Sequence, residues 1–205
     1  MGPRTPPPRM RVAWLVALLA VSPAVRTLAA GSSWRVARGD VRVVCPMTVG
    51  GSFEAKTGAV QGTVTTGASG AALGGEISVD LATLDTGIGL RNEHMKDKYL
   101  EVGKGRGFDH AVLSGIRLGD VDPQGFQGKT AFTGTFLLHG TTKPVSGQAT
   151  IRREGTNVRV EASFPVSVSA FAIEKPQYLG VGVRDQVTVN VSLVAEPADS
   201  PGAAP

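Results

Sequence analysis

The chain has 205 residues, with 21 Lys or Arg against 17 Asp or Glu, one cysteine and an aromatic content of 5%. The positive excess sits in the first 30 residues, where Arg4, Arg9, Arg11 and Arg26 stand without an acid. The 17 basic residues that follow are balanced by 17 acidic ones, so the electrostatic motive for nucleic acid or an anionic membrane surface is absent. A single cysteine excludes an internal disulfide, and the fold must rest on its core.

In chain order, MGPRTPPPRMR is a basic head and VAWLVALLAVSPAV an apolar centre. With small residues at Ala29 and Ala30, where cleavage is expected, residues 1–30 read as a secretory signal peptide. A membrane anchor needs about 20 apolar residues, and Ser22, Pro23 and Arg26 interrupt the run too soon. The mature chain is expected as one exported domain over 31–194, periplasmic or secreted and without a transmembrane anchor. The tail 195–205, AEPADSPGAAP, lacks an apolar rhythm and is expected to be disordered.

DVRVVCPMTV places Val41, Val43 and Cys45 on one face. Cys45 is therefore read as a buried apolar side chain, with an intermolecular disulfide or a reactive thiol as the minor alternative. The same two-residue rhythm predicts eight strands, at 34–48, 51–66, 73–83, 108–118, 128–139, 144–153, 157–168 and 183–194. Ile77, Val79 and Leu81 oppose Ser78, Asp80 and Ala82, while Phe132, Gly134, Phe136 and Leu138 oppose Ala131, Thr133, Thr135 and Leu137. Further on, Val158, Val160, Ala162 and Phe164 oppose Arg159, Glu161 and Ser163, and Val187, Val189, Val191 and Leu193 oppose Thr188, Asn190 and Ser192. One dry and one wet face is the antiparallel habit. Turns are expected at DPQG (122–125) and EGTN (154–157).

The stretch LDTGIGLRNEHMKDKYLEV, 84–102, breaks this rhythm. Leu90, Met95 and Tyr99, with His94 four residues after Leu90, gather on one side of a short helix. A lone helix with one apolar side, set between strands, is expected to cap an open barrel end. The fold class is thus all-β, an eight-stranded antiparallel barrel with one short helix over an end.

Four segments carry a resemblance to a known family: GSFEAKTGAVQGTV (51–64), LDTGIGLRNEHMKDKYLEV (84–102), GTFLLHGTTKPV (134–145) and FPVSVSAFAIEKPQYLGVGVRDQVTVNV (164–191). In this order and spacing the chain resembles the YceI family over Trp34 to Val194. The resemblance implies a lipocalin-like barrel, exported, with an elongated apolar tunnel for an isoprenoid chain such as a polyprenyl lipid or quinone tail. EVGKGRGFDHAVL departs from the pattern, and its glycines at 103, 105 and 107 are expected to loosen the link from helix to next strand.

If the dry face points inward, Val79, Leu81, Phe132, Phe136, Val160, Phe164, Val189 and Val191 form a wall without polar atoms. Such a wall selects chain girth and length. Met95, Phe171, Tyr99 and Tyr178 complete the expected ligand contacts with Arg91 and His94, which match the family's RxxH. Those two either hold a ligand head group or tie the helix to the rim, the second being favoured because rim polar groups need partners anyway. His139 and Lys143, in LHGTTKPV, are accounted for by turn chemistry, with Gly140 at the bend and Pro144 starting the next strand.

Catalytic motifs are absent. The three histidines, His94, His110 and His139, lie in unrelated segments, with no HExxH, CxxC or GxSxG. DVDPQG lacks the following glutamate of a calcium loop. No cofactor is expected, and a lipid or quinone would enter as ligand; a homodimer is left open. Two readings remain from the residues: an isoprenoid carrier or scavenger, and a structural or interaction barrel whose rings fill its own core, with an enzyme acting on a bound lipid as a minor third.

Overall fold

The computed structural model describes residues 2, 32–67, 71–119, 127–178 and 181–198. The expected leader with its cleavage point, the DPQG turn and the far part of the expected tail lie outside the described residues. Within them the strands are β1 (Ser33–Pro46), β2 (Ser52–Thr57), β3 (Val60–Thr66), β4 (Leu73–Asp80), β5 (His110–Leu118), β6 (Gly128–Leu138), β7 (Thr141–Glu154), β8 (Asn157–Ser167), β9 (Gln177–Tyr178), β10 (Val181–Gly182) and β11 (Gln186–Pro197).

All sheet pairings are antiparallel, as one dry and one wet face require. Going round, β1, β3, β4, β5, β6, β7, β8 and β11 follow in order, and β11 pairs back onto β1 from Trp34↔Pro197 to Val44↔Thr188. The sheet is a closed barrel of eight staves. β2 and β3 together make the single stave expected at 51–66, interrupted at Gly58 and Ala59: β2 lies against Val41–Pro46 and β3 against Ser33–Arg35.

The alternation holds at atomic detail. Along β6, Phe132, Gly134, Phe136 and Leu138 are buried while Ala131, Thr133 and Thr135 are exposed. Boundaries shift where other chemistry takes over. β4 stops at Asp80, whose carboxylate accepts the Ala82 N–H and starts a 3-10 turn, Leu81–Thr83. β7 begins at Thr141, so Pro144 lies inside the strand and not at its start. It stands in the stretch of β7 that pairs with β6 alone, pairing with β8 being confined to Gln148–Glu154. β11 runs on to Pro197 and Ala195 is buried, so the first residues of the expected tail belong to the sheet.

The helical element spans Gly89–Tyr99 in two registers. An α-helical turn, α1 (Gly89–Glu93), passes into a π-helical turn over His94–Tyr99, which is closed by Leu100 N–H donating to Met95 C=O at 2.8 Å. Met95 and Tyr99, in the wider π turn, pack on the core, while Leu90, expected beside them, is largely exposed at the mouth.

Candidate functional site

The inward faces enclose a cavity of about 930 Å³, at the upper end of the roughly 300–1,000 Å³ typical of ligand pockets. Its lining includes Val79, Leu81, Phe132, Phe136, Val160, Phe164, Val189 and Val191, all eight wall residues expected from the alternation. Phe164 forms edge-on contacts with Phe132 and Phe136, with centroids at 5.8 and 5.6 Å, so the rings brace one another along one side and leave the lumen open. At the end away from the helix, Trp34, Leu118, Val158 and Ala195 line the space and are themselves buried.

Basic lining side chains are confined to the helix, where Arg91, His94 and Lys98 border the mouth; no carboxylate borders the cavity among the described residues. Asp85 and Asn92 set the helix in place. The Asn92 amide donates to Asp85 at 2.6 Å and accepts from Thr86 N–H at 2.8 Å, which clamps the DTGI turn onto α1. The Asn92 amide first, and the Gly87 N–H donating to the same carboxylate at 2.8 Å, hold the Asp85 carboxyl below the ordinary range. Arg91 ties the helix to β2 by laying its guanidinium over the Phe53 ring at 4.4 Å from the centroid, not by a hydrogen bond to the rim. His94 is exposed at the mouth.

The exit of the helix is held by a cluster that turn chemistry alone did not foretell. His139 and Gly140 form a two-residue hairpin turn with φ of 50° and 67°, the paired left-handed conformation of a type I′ turn. That backbone aims the imidazole inward: Nε2 meets the Glu101 carboxylate at 2.9 Å and Nδ1 the Phe171 carbonyl at 3.0 Å, while Phe108 stacks edge-on at 4.8 Å. Glu101 and Ala172, the latter next to Phe171, are also left-handed, with φ of 51° and 56°. Three strained residues around one node mark a junction fixed by its surroundings. Here the glycine segment, expected to loosen the link, is hydrogen-bonded instead: Phe108 and Asp109 N–H donate to Gly105 C=O, and Gly140 N–H to Gly107 C=O at 2.7 Å.

Met95, Tyr99, Arg91 and His94 thus lie at the mouth as expected. Phe171 does not border the cavity. It is buried behind Phe136, at 5.7 Å between centroids, in the 3-10 turn Val168–Phe171 that lies against β7 beyond the end of the β7–β8 pairing. Tyr178 is placed in β9 opposite Val181, and its side chain lies outside the described residues. Cys45 borders the cavity from β1, and burial pushes its thiol up to about 11, with Arg91 pulling the other way. Sequence reasoning missed Trp34, Ile116 and Ile173 as lining; Ile116 is displaced from the β5 rhythm by a bulge between Ser114 and Arg117. No three His, Cys, Asp or Glu side chains gather as a metal site among the described residues.

The family model described as "YceI-like domain" matches residues 31–195. No curated protein matches the chain. Among solved structures, Burkholderia cenocepacia BcnA superposes with a TM-score of 0.63 at 19% identity, covering 76% of this chain and 95% of that one. A polyisoprenoid binding domain from Saccharophagus degradans, implicated in plant cell wall breakdown, gives 0.61 at 16% identity, covering 82% and 99%. The Campylobacter jejuni YceI protein gives 0.51 at 15%, covering 68% and 82%. These likenesses are of fold.

Proposed function

The chain belongs to the YceI-like domain family, and from that premise we propose that it is an exported carrier or scavenger that holds an isoprenoid chain, of a polyprenyl lipid or a quinone, inside its barrel. One observation carries the reading: an apolar space of about 930 Å³ remains after the side chains are placed, so the phenylalanines do not fill the core. An unfilled apolar hollow forfeits packing unless something occupies it. The described binding activity of the Saccharophagus degradans neighbour supports the same class of ligand.

Each five-carbon unit buried against this wall gains roughly 3 to 4 kcal/mol gross, at about 0.8 kcal/mol per CH₂, before ordering and association costs of several kcal/mol. One unit therefore binds poorly and several bind well. The chain lies along the wall from Trp34 to Leu81, and its head sits under the helix, where Arg91, His94 and Lys98 donate hydrogen bonds to a carbonyl or phosphate oxygen. No residue set for bond chemistry is invoked. The basic head and apolar centre of residues 1–30, read as a leader, support delivery outside the cytoplasm.

Native mass spectrometry of protein purified without detergent, followed by solvent extraction, tests the proposal. A co-purifying species with prenyl-repeat masses is expected, and quinone added to the emptied mature protein should quench the emission of Trp34, its one tryptophan once the leader is removed. Absence of a bound species together with no quenching refutes it.

A further inference from the structure

The exposed large apolar side chains among the described residues are Val49 at 63%, Leu90 at 64%, Ile88 at 50% and Val181 at 37%. They are not scattered. Val49 lies in the β1–β2 turn, which is joined to β10 by Thr48 N–H donating to Gly182 C=O and Gly182 N–H donating to the Thr48 hydroxyl. Ile88 and Leu90 begin the helix, which is joined to β2 by Arg91 over Phe53 and, just before it, by the paired backbone of Lys56 and Asp85. β10, the turn, β2 and the helix thus form one connected arc, and all four side chains stand on it.

Ile88, Leu90 and Val181 also border the cavity, so the exposed apolar surface is continuous with the interior. A contiguous apolar patch on an otherwise polar surface marks an interaction site, and here three of the four side chains stand at the mouth. We propose that this arc seats on the surface of a lipid bilayer, its apolar side chains entering the interface, so that a prenyl chain passes between membrane and barrel without crossing water. The inference rests on the carrier reading. A bilayer is favoured over a protein partner because it alone extends the cavity's apolar interior outward and is where an isoprenoid lipid resides. On a zwitterionic bilayer the cations at the mouth, Arg91 and Lys98, meet no net charge, so seating there is by apolar contact and should survive high salt.

The test uses Cys45→Ala chains carrying one new cysteine, labelled with an environment-sensitive fluorophore and mixed with phosphatidylcholine vesicles. Labels replacing Val49, Leu90 or Val181 should shift to the blue and brighten, in low and high salt alike. Labels replacing Thr135, on the outer wall, or Thr156, at the far end, should not. Equal response at all positions, no response at the arc, or a response lost in salt overturns the proposal. So does an arc response that follows protein concentration without vesicles, which would assign the arc to a second copy. Uptake of quinone delivered in detergent is read in parallel on the unsubstituted, unlabelled chain: uptake with a silent arc removes the docking and leaves the carrier, whereas no uptake removes the carrier itself.

Discussion

Gly147 shows how closely the wall is built. A Cβ there would meet the Ser163 carbonyl oxygen at 2.3 Å, Phe164 Cβ at 2.7 Å and the Phe132 ring at 2.8 Å. β7 therefore needs a residue without a side chain for the two rings to touch. Gly147→Ala is expected to destabilise by about 1–3 kcal/mol, the usual cost of overpacking, read as a lower denaturant midpoint at unchanged slope. Phe136→Asp should abolish quinone quenching and lower stability by several kcal/mol, because an unpaired carboxylate then faces an apolar wall. Cys45 gives a chemical check. A thiol raised to about 11 is overwhelmingly protonated at neutral pH, so alkylation of folded protein should be slow and become slower once ligand is bound; fast labelling would contradict the placement of this side chain.

The helix is an element held at both ends by polar groups and across its middle by Met95 and Tyr99. Its far anchor is the contact of His139 with Glu101. His139→Ala should raise amide exchange over 89–105 while leaving β5 to β8 protected, and unchanged exchange there would show the anchor to be idle. The carboxyl of Glu101 is held low, first by the Lys104 hydrogen bond and also by His139. A lowered folded-state value means that the anchor's contribution is present above the ordinary glutamate range and lost as pH falls through the lowered value. Exchange over the helix should therefore rise on acidification below that range, and this step should be missing in Glu101→Gln. Sequence revealed the helix through its broken alternation, but not its π register, which depends on where the chain must rejoin the rim. It also read LHG as a turn and nothing more, because the partners of His139 are 38 and 32 residues away.

Across the whole molecule, strand periodicity fixed which residues face inward, and all eight expected wall positions do border the cavity. Whether that inward face is filled was not legible, since the same alternation describes a solid core and a hollow one; the difference is a sum over side-chain volumes around a closed sheet. Ala162 borders the cavity from β8, and Ala162→Phe should fill part of it. Loss of ligand uptake with thermal stability kept or raised is expected, measured by quinone quenching beside a melting curve. Retained uptake would place the ligand elsewhere.

The barrel is closed by its first stave meeting its last, Trp34 with Pro197 and Arg35 with Glu196. During synthesis β2 and β3 soon flank β1 on one side, but β1 must wait for nearly the entire chain before β11 exists to flank the other. Contacts of such long sequence separation form slowly, and until they do the greasy lining stays open to water and to other nascent chains. The lumen is thus the last part of the molecule to come into being, and a guest that fits only the finished ring would act as a clasp, drawing the final stave home by mass action.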